Sequence, residues 1–106
     1  MIRKYLKELQ SLQLKALKQG VNIDLQVRDA GAILPWVSVG VTKEGWYEQP
    51  KDENGITPGY FNTSVSFTSG LSREDNEAIA NRRMEEIKAK IEEFSTLVFK
   101  KEGSNV

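Results

Sequence analysis

The side chains that most often carry chemistry are missing from this chain. Its 106 residues include no histidine and no cysteine. That removes an imidazole base, a thiolate nucleophile, a disulfide and any Cys/His zinc site. Carboxylates remain. Glu85/Glu86 and Glu92/Glu93 are adjacent pairs, but neighbours on a helix point about 100° apart and do not converge on one substrate atom. No G-x-x-x-x-G-K-[ST] or G-x-G-x-x-G run offers a seat for a nucleotide phosphate. Asp52-Glu53-Asn54 presents oxygens to a hard cation, yet no twelve-residue loop closing on Glu follows them. The expectation is a protein without catalytic, cofactor-binding or metal-ligating residues.

Two other chemistries have more behind them. Within the first nineteen residues Arg3, Lys4, Lys7, Lys15 and Lys18 stand against Glu8 alone, inside a chain whose net charge is zero. Lys4, Lys7, Lys15 and Lys18 fall on one helical stripe, which would attract a phosphate backbone. The second chemistry is aromatic. Trp36, Trp46, Tyr47 and Tyr60, with Arg28, are placed by the pattern off the core face or in a long loop. Trp, Tyr and Arg dominate the energetics of protein interfaces.

The elements that position these residues are legible in order. Ile2, Tyr5, Leu6, Leu9, Leu12, Ala16 and Leu17 recur at three- and four-residue steps, predicting a helix over 2–19 stopped by Gly20. Leu14 falls off that face. Residues 21–28 alternate strictly between apolar and polar, the mark of a half-buried strand. Asp29-Ala30-Gly31-Ala32 reads as a turn, Ile33–Thr42 as a second strand and Tyr60–Thr68 as a third. The intervening loop 43–59 is long for a compact domain, and such loops are commonly functional. Ser72 with Asp75 three residues on opens a last helix, in which Glu86/Lys90 and Lys88/Glu92 are spaced as ion pairs. Residues 100–106 form a polar tail expected to fray.

The fold class is therefore α+β: one domain over 1–99 in α-β-β-β-α order, a three-stranded antiparallel meander with both helices on one face. This order resembles that of the double-stranded-RNA-binding domain. That family grips phosphates with a basic cluster at the start of its final helix, where this chain carries the acidic run Ser72-Arg73-Glu74-Asp75-Asn76-Glu77. No family residues are carried over.

A length argument suggests self-association. A last helix from Arg73 to Val98 would run ~39 Å, against ~26 Å for an eight-residue strand. Phe94, Leu97, Val98 and Phe99 would then lie beyond the sheet and need another surface, most simply a second copy. The expected function is a non-catalytic protein-binding module acting as a homodimer, with loop 43–59 and the open sheet face available to another protein. A nucleic-acid-binding domain using the lysine stripe is the alternative. No run reaches the ~20 apolar residues of a membrane span, and the cysteine-free composition points to the cytoplasm.

Overall fold

A computed structural model describes residues 2–28 and 36–99, the side chains of Ile2 and Arg28 excepted. The order is α1 (Ile2–Lys18), β1 (Val21–Arg28), β2 (Trp36–Lys43), β3 (Tyr60–Ser66) and α2 (Arg73–Ser95), with a 3-10 turn at Trp46–Glu48. The strands form one antiparallel sheet in the order β1-β2-β3, the α+β meander that the alternation predicts. The turn at 29–32, the start of the second strand at 33–35 and the tail at 100–106 lie outside the described residues.

One phase of each strand faces the helices. Val21 and Ile23 of β1, Val37, Val39 and Val41 of β2, and Val65 of β3 are buried against both helices. From α1 come Tyr5, Leu9 and Ala16, and from α2 Ala80, Met84, Ile87, Ile91 and Phe94. Leu17 departs from expectation. It sits a quarter-turn or more off the buried axis of α1 and is 63% exposed, beside Leu14 at 67%. Gly20 ends α1 with a φ of 75°.

Two polar devices fix the helices. At the start of α2, Ser72 Oγ accepts the Asp75 N–H at 3.1 Å; Ser72→Ala is expected to lower stability by about 1 kcal/mol, measured by urea denaturation. Between the helices, the Tyr5 hydroxyl donates to Asn81 Oδ1 at 3.1 Å. Lys88 reaches across to Glu8 at 3.0 Å and also meets Glu85 at 3.5 Å. Of the i,i+4 pairs expected on α2, Lys88/Glu92 gives way to the reach of Lys88 toward α1, while Glu86 and Lys90 pair at i,i+3 with Arg83 and Glu93.

Burial, with Glu77 and Glu8 nearby, raises the Tyr5 phenol above its ordinary range. Lys88 is raised by its bond to Glu8. Each raised group contributes stability that is fully present below its unfolded pKa and is lost as pH climbs through the folded value. Stability is therefore expected to decline above about pH 10. Tyrosinate absorbance should include a late-ionising component that is absent in Tyr5→Phe.

Candidate interaction surface

The last helix stops earlier than its sequence suggests. Ser95 Oγ donates to the Glu92 carbonyl at 2.7 Å and Thr96 Oγ1 to that of Glu93 at 3.0 Å. Leu97 N–H then turns onto the Phe94 carbonyl at 3.2 Å. Hydroxyl side chains that take the last carbonyls compete with continued helix. At 23 residues the rod is ~34 Å long, and its buried positions run from Asn76 to Phe94. Of Phe94, Leu97, Val98 and Phe99, only Val98 is left exposed. The expectation that Phe94 meets a second copy is corrected: it is 3% exposed, inside its own core.

The segment after α2 folds back instead. Leu97 packs against the core, and Phe99 lies over two glycines of the β2–β3 connection. A Cβ on Gly59 would stand 2.5 Å from Phe99 Cζ, and one on Gly45 3.7 Å from Cδ2. Gly59 also has a φ of 81°, so both its backbone and its missing side chain are required here. Its carbonyl accepts the Lys43 N–H at 2.8 Å, which carries the β2–β3 ladder one step past Tyr60.

The long connection is built, not loose. Gly45 turns the chain into the 3-10 turn. Trp46 then lies over Tyr60 on the outer sheet face, ring centroids 4.6 Å apart and 31° from parallel. Tyr47 meets the edge of Trp46 at 6.3 Å and is 71% exposed. Farther on, the Asp52 carboxylate accepts the N–H groups of Asn54 and Ile56 at 2.8 and 2.9 Å. The carboxylate offered to a cation thus closes a turn. Among the described residues no cluster of three or more metal-ligating acids occurs.

These features border an open surface groove of about 1490 Å³. Tyr47 and Pro50 contribute to one side, Leu97, Val98 and Phe99 to the other, and Lys43, Glu44 and Glu48 add charge. Val98 is 85% exposed. The fold thereby joins two sets of residues that the sequence kept apart: Tyr47 from the loop, and Leu97, Val98 and Phe99 from the chain end.

The other candidates are dispersed. Trp36 pairs with Ser66 and Arg28, whereas Tyr60 pairs with Thr42. Six residues of β2 put ~20 Å between them, so Trp36 and the Trp46–Tyr60 stack are separate features of the outer face. The Arg28 side chain lies outside the described residues. Lys4, Lys7, Lys15 and Lys18 are exposed on α1, with the Lys4 ammonium 5.5 Å over the Tyr5 ring. The paired carboxylates are surface groups: Glu85, Glu86 and Glu93 each hold a lysine or arginine.

No family model, curated protein or solved structure matches this chain. No described helix is long and apolar enough to cross a membrane.

Proposed function

We propose that this chain is a small non-catalytic protein-binding module of the cytoplasm, taking an apolar segment of another protein into the groove between Tyr47 and Val98. One observation carries the reading. Two large apolar side chains from distant parts of the sequence, 71% and 85% exposed, flank the same groove. Exposed apolar surface gathered in one place marks an interaction site more often than scattered single residues do. The groove is lined by aromatic and aliphatic side chains together with charges of both signs, residue types that such sites use. Glu44 and Glu48 against Lys43 disfavour a phosphate in that position.

Peptides selected from a random library against the wild-type chain test the reading. Binders are expected to present aromatic or aliphatic residues and to lose tenfold or more in affinity with Tyr47→Ala or Val98→Asp. Lys7→Glu with Lys15→Glu is expected to leave that affinity unchanged. Phosphate binding by the lysine stripe makes the opposite prediction: heparin retention that falls steeply with salt and disappears in the double charge reversal. Binders indifferent to both groove substitutions would remove the proposal.

A further inference from the structure

β1 is an edge strand, since the sheet order leaves one of its sides without a neighbour among the described residues. The ladder's parity tells which groups face that opening. Lys43 donates its N–H to Gly59, toward β3, so its β1 partner Val21 stands in a non-hydrogen-bonded pair. Ile23, Leu25 and Val27, at two-residue steps, do the same. The N–H and C=O groups of these four residues therefore point out of the sheet edge. Gln13 Nε2 donates to the Ile23 carbonyl at 2.8 Å, as that parity requires.

The same four side chains face the helix layer. Val21 and Ile23 are covered by the core, Leu25 is half-buried and Val27 is 54% exposed. At the other end of the strand, Leu14 and Leu17 of α1 are exposed beside it. With Gln13, Val21, Asn22 and Ile23 they line a small groove of about 210 Å³. Sheet edges are ordinarily protected by proline, bulges or inward-pointing charge. The segment Val21-Asn22-Ile23-Asp24-Leu25-Gln26-Val27 has no proline, and every residue facing inward is apolar.

We infer that a second copy of this chain pairs antiparallel along β1, continuing the sheet across a two-fold axis at Leu25. The occupant follows from self-complementarity. An exposed Val27 lies at one end of the strand and an apolar groove at the other, so antiparallel self-pairing brings the partner's Val27 beside Ile23 and the groove, and does so twice. A net charge of zero sets no overall repulsion between copies. Charge also selects the register. Pairing Leu25 with the partner's Val27 would carry that valine away from Ile23 and the groove. Pairing Ile23 with the partner's Leu25 would set Asp24 against its own copy, like charge on like. Pairing Leu25 with the partner's Leu25 sets Asp24 opposite the partner's Gln26, and Ile23 exchanges hydrogen bonds with the partner's Val27, whose N–H takes the place of the Gln13 amide on the Ile23 carbonyl. The interaction goes beyond the Tyr47–Val98 groove and does not depend on it.

The absence of native cysteine makes the test clean. Asp24→Cys and Gln26→Cys, prepared separately and mixed under mild oxidation, are expected to form interchain disulfides several-fold faster than either variant alone. Opposed non-hydrogen-bonded positions lie ~4.5 Å apart at Cα, within disulfide reach. Sedimentation should show a wild-type dimer weakened tenfold or more by Val27→Lys or Leu14→Lys, with the circular dichroism spectrum unchanged. A wild-type chain that stays monomeric at high micromolar concentration would overturn the inference. So would a dimer unmoved by Val27→Lys, or Asp24→Cys alone linking fastest.

Discussion

Replacing Gly59 by valine is expected to cost about 2–4 kcal/mol of folding stability and to expel Phe99 from its seat. Two separable effects contribute. A residue with a Cβ at a φ of 81° carries a backbone penalty of roughly 1–2 kcal/mol. The new side chain would also meet Phe99 Cζ at 2.5 Å and Lys43 Cβ at 3.2 Å. Phe99 is the part that can move, so the overlap is relieved by opening the groove. Urea denaturation of Gly59→Ala in wild-type and Phe99→Ala backgrounds separates the two. Most of the steric share should be lost when Phe99 is already gone, leaving the Lys43 contact, and the backbone share of about 1 kcal/mol or more should persist. Equal losses in both backgrounds would show that Phe99 does not rest on Gly59.

Asn76→Ala is expected to be the next most damaging change, at about 2–3 kcal/mol. Asn76 is 5% exposed and its amide is fully used. Oδ1 accepts the Thr68 N–H at 3.0 Å, while Nδ2 donates to the carbonyls of Thr68 at 3.0 Å and Leu71 at 3.4 Å. It ties the end of β3 to the first turn of α2, and alanine would leave those backbone groups to find water. Asn76→Asp should be nearly as harmful, because a carboxylate turned toward two carbonyls has no proton to donate. Loss of thermal stability in both variants, with α2 helicity preserved in the folded state, is the expected pattern. A change within experimental error in Asn76→Ala would mean that the connection holds without its bridge.

The two sites differ in how far the sequence discloses them. Strict alternation in Val21–Arg28 and the valines of β2 place each strand's inward face, because a one-residue slip would invert every side chain. Helical spacing likewise identifies the buried positions of α2. Asn76 is silent: it sits in an acidic first turn with the look of a solvated surface, and only the return of residues 67–71 over it makes it a core residue. The groove is silent for a related reason. Its two walls are about fifty positions apart in sequence, and they meet only because Ser95 and Thr96 end the helix and send Phe99 back to Gly59. Those two hydroxyl residues are the only local sign of the stop, set against the regular steps of Ile91, Phe94 and Val98. Trp36 and Tyr60 show the converse. They share a face in the pattern, while the register, which a pattern does not specify, sets them at opposite ends of β2.

The groove and the β1 edge suit different partners. The first offers an aromatic anchor among charges of both signs, the second a strand edge capped at the Ile23 carbonyl by Gln13 beside a small apolar cleft. If both are used, each dimer presents two grooves, and a partner with two apolar segments would bind with the gain of linked sites.

Photo-crosslinking in the cells that make this chain tests the central claim most directly. A benzophenone amino acid at position 47 is expected to give a discrete adduct with a different protein, lost when Val98→Asp is added and absent when the probe sits at position 64 on the outer sheet face. An adduct that survives Val98→Asp, or the same adduct from position 64, would contradict a binding site between Tyr47 and Val98.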